Sequence, residues 1–245
     1  MALPELTLWK AEAIRATFIA NEPINPAPSD WWTSFTGEKP ETIISKPNAG
    51  MQSISGQFNN GNLEMRVAFN RVDWLLTPAM APIEGTPCLG KAEDAFSFLS
   101  MSLSAWINET KSIPFSRIAY APIFTLLVSN LEEGNNVLSN YFNLTGIKER
   151  NVQDLFIQMN IPSNLDCCDN ILFNRVGKFV SNATQIMNFG MDSPIPTIQE
   201  QYICHTEFDF NTDASRQIEI PANERFSILE KLSDSTIRLL SRGWE

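Results

Sequence analysis

Two runs of alternating apolar and polar residues, separated by Asn59-Asn60-Gly61-Asn62, constrain the fold of this chain more than any other feature. Asn and Gly tolerate the positive φ angles that a tight hairpin turn requires. We therefore predict a β-hairpin formed by strands Met51 to Phe58 and Leu63 to Phe69. Further strands on either side of it complete an antiparallel meander; they are predicted at Glu12 to Ala20, Thr42 to Ser45 and Val72 to Thr77.

Three other segments have apolar residues spaced three or four apart, the period of an amphipathic helix. They run from Lys91 to Asn108, from Glu132 to Phe142 and from Pro221 to Arg242. Gly134 weakens the second helix, because glycine costs about 1 kcal/mol relative to alanine in a helix interior. Pro221 favours a helix start, since proline is well suited to the first helical position.

The rest of the second half alternates again and predicts more strands. Pro122 lies within the first of them and marks a bend or a sheet edge, because proline cannot donate a ladder hydrogen bond. These strands are predicted at Phe115 to Leu127, Asp154 to Ile161, Asn170 to Phe179, Ala183 to Phe189 and Thr197 to Phe210.

This order of elements predicts an α+β fold in which a curled antiparallel sheet packs on two or three amphipathic helices. Residues 1–110 would form one meander-plus-helix half and residues 111–245 a second half of similar outline. An internal duplication and one continuous domain are both compatible with this outline.

The charge balance restricts the partners of the chain. Eighteen Lys and Arg against 28 Asp and Glu give a net charge of −10, which repels nucleic acids and anionic membranes. Basic residues in the last predicted helix alternate with acidic ones, so we interpret them as a solvated helix face. These basic residues are Arg225, Lys231, Arg238 and Arg242.

The sequence features that bear on location predict a cytoplasmic protein. We find no pattern typical of a secretory signal and no apolar run of the ~18 residues that a membrane helix needs. The cysteines are Cys88, Cys167, Cys168 and Cys204, and their spacing matches no zinc pattern. We expect them to be reduced, mostly buried thiols.

His205 is the single histidine of the chain. Histidine is the usual general base and the commonest metal ligand, so this scarcity disfavours most nucleophilic and metal-dependent chemistry. A pairing of His205 with Cys204 or Cys168 would be the catalytic alternative. Neighbours in a strand point to opposite faces, however, so we expect His205 to be an ordinary strand histidine.

Glu207, Asp209 and Asp213 form the best candidate metal site in the sequence. Two of them share one face of a predicted strand, and carboxylate oxygens suit Mg²⁺ or Ca²⁺. A metal-dependent hydrolase could use such a site. The polar face of a half-buried strand explains the same residues, and the phosphate-binding, dinucleotide-binding and serine-hydrolase motifs are missing. We therefore predict no cofactor.

Tryptophans are the candidate partner-binding residues. Trp31 and Trp32 follow a proline-rich segment, and we predict that they lie in a loop with a short turn. Trp74 opens a predicted strand. Exposed aromatic residues in loops often contact partners, although large aromatics are also ordinary core residues. If one pair is exposed, we expect it to be Trp31 and Trp32.

Three features of the layout can be compared with other proteins. They are an early strand, the central Arg117-Ile118 strand, and an ending from Phe208 to Trp244 in which a long acidic strand leads to a closing helix. This layout resembles a sporadically distributed family of uncharacterised bacterial proteins of similar length. The resemblance covers most of the chain and implies a bacterial or mobile-element origin, with a role beside partner genes such as those of antiviral defence. It implies no catalytic residues.

These observations together predict a non-enzymatic interaction or adaptor subunit of a larger cytoplasmic assembly, with a protein as its partner. A small-ligand sensor or carrier is the first alternative, because two sheet-plus-helix halves can enclose a cavity. The metal-dependent hydrolase is the second.

Overall fold

The computed structural model describes residues 2–24, 28–79, 87–144, 152–165, 171–188, 197–215 and 218–244. Within these ranges the chain forms four α-helices and one antiparallel sheet of eleven strands. The predicted α+β class is confirmed. None of the helices in these ranges is both long enough and apolar enough to cross a membrane.

The helices are α1 (Pro28–Thr36), α2 (Ser97–Glu109), α3 (Leu131–Phe142) and α4 (Arg225–Arg242). The strands are β1 (Lys10–Ala20), β2 (Thr42–Lys46), β3 (Met51–Phe58), β4 (Gly61–Ala68), β5 (Arg71–Pro78), β6 (Gly90–Lys91), β7 (Phe115–Val128), β8 (Leu155–Asn160), β9 (Ser163–Asn164), β10 (Leu172–Asn188) and β11 (Thr197–Thr212).

The strands lie in the order β2-β3-β4-β5-β1-β7-β11-β10-β8, and in addition β6 pairs with β1 and β9 pairs with β10. The predicted hairpin is present, and Asn59 has the positive φ angle of 52° that its turn requires. One sheet runs through both predicted halves, since β7 pairs with β1 and with β11. The duplication stays a prediction.

All four helices pack on the same side of the sheet, which we call the covered face. Contacts to that face include Trp106 of α2 with Phe18, and Tyr141 of α3 with Phe179. The alternation of β11 shows the same division, because Cys204, Thr206, Phe208 and Phe210 are buried there. The residues between them are partly exposed on the opposite side, which we call the open face. Antiparallel sheets commonly leave one face to solvent in this way.

The segment containing Trp31 and Trp32 was expected to be a loop with a short turn, and this expectation is wrong. It forms helix α1, which raises the number of helices in the described residues above the two or three predicted. The rings of Trp31 and Trp32 pack against Trp106 and Trp74. Burial of these large rings outweighs the turn signal of the preceding prolines, because each aromatic side chain removes much apolar area from water.

Pro122 does not mark a sheet edge, since β7 lies at the centre of the sheet. The sheet tolerates the missing amide because pairing is irregular on both sides of this proline. Pro122 lies opposite Ile14, close to a register shift between Ala11 and Ala13 of β1. On the other side, the pairing of β7 with β11 is interrupted between Ile123 and Tyr120.

Arg225 connects three segments of the chain at the start of α4. Its side chain is fully buried, at 0% exposure, so the interpretation as part of a solvated face is wrong for this residue. The guanidinium donates hydrogen bonds to the carbonyl oxygens of Ile220 (3.0 Å), Thr110 (3.2 Å) and Ile113 (2.8 Å). It also lies 5.1 Å from the centroid of the Phe115 ring. A guanidinium presents five N–H donors in a fixed planar arrangement, so it can bind several carbonyls at once without rearranging.

We expect Arg225→Met to lower the free energy of unfolding by about 3–5 kcal/mol, because three carbonyls lose a charged donor in a buried site. Arg66→Met is the matched control. Arg66 is about half exposed and pairs with Glu64 alone among the residues that the structure describes, so its loss should cost less than about 1 kcal/mol. Urea unfolding of both variants measures the difference, and equal losses would contradict the anchoring role.

Gly134 lets α3 approach the sheet closely. It is buried in the predicted second helix, and a Cβ at this position would overlap the Ser181 Oγ of β10. The carbonyl of Gly134 also accepts a hydrogen bond from the Cys204 thiol at 3.5 Å. The glycine that weakens the helix in the sequence is therefore required by the packing.

Gly134→Ala should destabilise the protein by about 1–2 kcal/mol, although alanine is the better helix former. Ser181→Ala removes the obstructing hydroxyl, which has no hydrogen-bond partner among the described residues. The double variant should therefore recover at least half of the loss. A double-mutant cycle from chemical denaturation measures this coupling, and strictly additive effects would contradict the proposed overlap.

Candidate functional site

The open face carries a network of charged residues around His205. His205 lies on β11, directly opposite Thr125 of β7 and Val180 of β10. Its Nδ1 lies 3.5 Å from a carboxylate oxygen of Glu12, and its Nε2 lies 3.6 Å from a carboxylate oxygen of Glu207. The two carboxylates therefore flank opposite sides of the ring.

Both carboxylates have further partners. Glu12 accepts a hydrogen bond from the Thr125 hydroxyl, and Glu207 pairs with the Lys178 ammonium at 3.0 Å. Residues from four neighbouring strands, β1, β7, β11 and β10, thus form one connected polar row across the sheet. The arrangement is that of a strand histidine flanked by two carboxylates, and the neighbouring Cys204 thiol does not join this network because it is buried on the covered face.

The pKa of Glu207 is set by opposing effects. Partial burial raises it, while the hydrogen bond and positive charge of Lys178, together with the neighbouring His205, lower it. The net result is a pKa below the ordinary value of a glutamate. A lowered pKa means that the folded state favours the ionised carboxylate.

Cys204 points away from His205, as expected for neighbours in a strand. Its thiol is buried on the covered face beside α3, and burial, with a smaller contribution from Glu133, raises the pKa of the thiol to about 12. Such a thiol stays protonated at neutral pH and is a poor nucleophile. Cys88 is exposed, which differs from the expectation of mostly buried thiols. Cys167 and Cys168 lie outside the described residues.

The three predicted metal-binding carboxylates do not form a cluster. Asp209 accepts a hydrogen bond from Asn211 at 2.9 Å, and Asp213 accepts from the amide and hydroxyl of Ser215 at 2.9 and 2.6 Å. Glu207 instead pairs with Lys178. Across the described ranges, no three His, Cys, Asp or Glu side chains are placed to hold one metal ion. The three carboxylates belong to separate local networks, and the metal-site prediction gains no support.

The tryptophans singled out for partner binding lie in the core. Trp31 and Trp32 are 7% and 1% exposed, and Trp74 is 0% exposed. Their burial agrees with the alternative that these tryptophans are ordinary core residues, and the condition of an exposed pair is not met. The partner-binding role of these three residues stays a prediction, but in this fold their rings offer a partner almost no contact area.

Sequence reasoning missed the most exposed apolar segment at a sheet edge. All five residues of β2 are exposed, and Ile43 and Ile44 are 51% and 49% exposed. Ile43 lies opposite Ile54 on the covered face, whereas Ile44 lies opposite Ser53 on the open face. Two adjacent isoleucines in a strand must point to different faces, so one of them cannot join the core. Two adjacent isoleucines in a predicted strand were therefore the sequence signal for an exposed apolar side chain.

The outer edge of β2 has no strand partner within the described ranges, because β2 pairs only with β3. Its outward N–H and C=O groups can therefore pair with another chain.

Comparison with protein-family models and with curated proteins finds no match to this chain. The resemblance to a bacterial family stays a prediction.

We expect Glu207→Gln to reduce the dependence of stability on pH. Because the folded-state pKa is lowered, the stabilisation by Glu207 is complete above its unfolded pKa of ~4.3 and is lost as pH falls through the folded value. The difference in unfolding free energy between wild type and variant should therefore shrink between about pH 6 and about pH 3. The side chain is 45% exposed, so the difference at pH 6 should not exceed about 1 kcal/mol.

Denaturant titrations across this pH range measure the effect. Lys178→Met supplies the control, because Glu207→Gln should change stability less in that background. A difference that grows as the pH falls would contradict the charge network.

Proposed function

We propose that this protein is a non-enzymatic interaction subunit of a larger cytoplasmic assembly, and that it binds a protein partner through the edge strand β2. The observation that carries the proposal is the pair of half-exposed isoleucines, Ile43 and Ile44, on a strand with an unpaired outer edge. Natural proteins usually protect such edges, because an exposed apolar edge strand pairs with other chains.

The chemistry of the edge defines the kind of partner. An extended segment that adds to β2 would gain main-chain hydrogen bonds, which supply affinity, while its side chains supply specificity. Apolar side chains on both faces of that segment would cover Ile43 on one side and Ile44 on the other. Covering each isoleucine, already half buried, would contribute about 1 kcal/mol.

Charge favours a different protein over a second copy of this chain. Each copy carries a net charge of −10, so two copies repel one another. A partner with a neutral or basic surface around its extended segment avoids that repulsion. Opposite net charge would also increase the rate of association.

Ile44→Glu is the sharpest test of this proposal. The side chain is exposed, so the variant should fold, yet its carboxylate would lie in the contact and should weaken partner binding at least about tenfold. Ile218→Glu is the matched control, because Ile218 is 66% exposed and lies outside every strand. Affinity purification from the native host, followed by native mass spectrometry, should recover a second protein in a fixed ratio with wild type and with Ile218→Glu only.

Hydrogen exchange on the recovered complex provides an independent check, since partner pairing should protect amides of β2. Recovery of a lone monomer, or equal recovery with Ile44→Glu, would contradict the proposal. A homodimer that Ile44→Glu dissociates would also contradict it, because the occupant of the edge would then be a second copy.

A further inference from the structure

A polar cavity of about 210 Å³ lies between the C-terminal half of α4 and the strands β9 and β10. Its floor consists of the buried side chains of Leu165, Phe173 and Leu239. This volume is below the 300–1,000 Å³ that is typical of sites for drug-sized ligands. The cavity therefore suits a small molecule, and it lies on the covered side of the sheet, away from the His205 network.

Three cations line this cavity in a chain whose net charge is negative. Lys231 and Arg238 lie seven residues apart on α4, which places both on the same side of the helix, and Arg175 faces them from β10. None of the three has an ion-pair partner among the described residues. One carboxylate, Asp234, also lines the cavity.

Arg175 is held in position before any ligand arrives. Its Nε donates to the carbonyl of Ile161 at 3.0 Å, and its guanidinium lies 5.8 Å from the centroid of the Trp244 ring. These contacts occupy one N–H group and one face of the guanidinium. The terminal nitrogens remain as donors without a partner among the described residues, in the fork geometry that binds phosphate through two parallel hydrogen bonds.

We propose that this cavity is a binding site for a small phosphate monoester that also carries hydroxyl groups, such as a sugar phosphate. The phosphate would contact Arg175 and Arg238, with Lys231 contributing charge at the rim. Asp234, Ser163 and Ser235 would accept hydrogen bonds from the hydroxyl groups of the ligand. This inference does not depend on the proposed partner-binding role, because β2 and the cavity share no residue.

The mixture of charges distinguishes this ligand class from a simple anion. Three cations attract a phosphate, while the Asp234 carboxylate repels it and favours a hydroxyl donor nearby. Inorganic phosphate should therefore bind more weakly than a sugar phosphate. Neutral ribose, which lacks the charged group, should bind more weakly still.

Isothermal titration calorimetry of the purified full chain tests the proposal, with ribose 5-phosphate, inorganic phosphate and ribose as probes. Wild type should bind ribose 5-phosphate most tightly, and rising salt should weaken that binding. Arg238→Met should lower the affinity at least about tenfold, since a charged donor is lost. Arg242→Met is the matched control on the same helix, because Arg242 does not line this cavity and its loss should leave binding unchanged.

Asp234→Asn should strengthen binding of inorganic phosphate and reduce the preference for ribose 5-phosphate. A gain of affinity cannot result from a variant that fails to fold, so this measurement also covers the case in which Arg238→Met disturbs the fold. The proposal is overturned if no phosphate compound binds at millimolar concentration, if Arg238→Met and Arg242→Met behave alike, or if Asp234→Asn weakens phosphate binding.

Discussion

Strand β7 lies at the centre of the sheet, and the rest of the structure depends on its position. It pairs along most of its length with β1 from the N-terminal part of the chain and with β11 from the C-terminal part. Both ladders join residues distant in sequence, so they form only when the intervening chain has folded back. Arg225 reinforces the junction, because it binds the carbonyls between α2 and β7 from the start of α4.

Because the helices cover only one face of the sheet, the face on which a strand residue lies determines whether its side chain is buried or exposed. Every helix packs on the covered face, where tryptophans and phenylalanines form the core. Close packing on the covered face limits the size of the side chain that fits at some positions. Gly134 is the clearest case, because its missing side chain allows α3 to approach β10. The same packing explains why the Cys204 thiol and the rings of Trp31 and Trp32 are buried.

The candidate sites for interaction lie in three separate places. His205 lies in a polar network on the open face, the isoleucines of β2 lie at the sheet edge, and the cations without ion pairs line the cavity between α4 and β10. Paired charges stabilise a surface modestly and leave little for a ligand to bind. The edge of β2 and the cavity cations are different, because their hydrogen-bonding groups include some that have no partner among the described residues. Those two places therefore carry the proposed interactions.

The hairpin at Asn59 and the alternation of β8 and β11 could be predicted from the sequence, because turn chemistry and two-residue periodicity are local properties. The prediction of two strands at Asn170 to Phe179 and Ala183 to Phe189 is wrong, since β10 runs without interruption from Leu172 to Asn188. The opposite orientation of Cys204 and His205 followed from the same periodicity. Helix α1 could not be predicted, since its prolines indicate a turn and only the surrounding aromatic core makes burial of its tryptophans favourable.

The candidate sites divide in the same way. The sequence by itself determined the α+β class, the strand alternation and the net negative charge, all of which depend on residue type and spacing. Only the tertiary structure decided that Arg225 is buried while Lys231 and Arg238 line a cavity with Arg175. Arg175 is more than fifty residues away from these two residues in the chain. Its proximity to them is set by long-range pairing and helix packing, which no local pattern records.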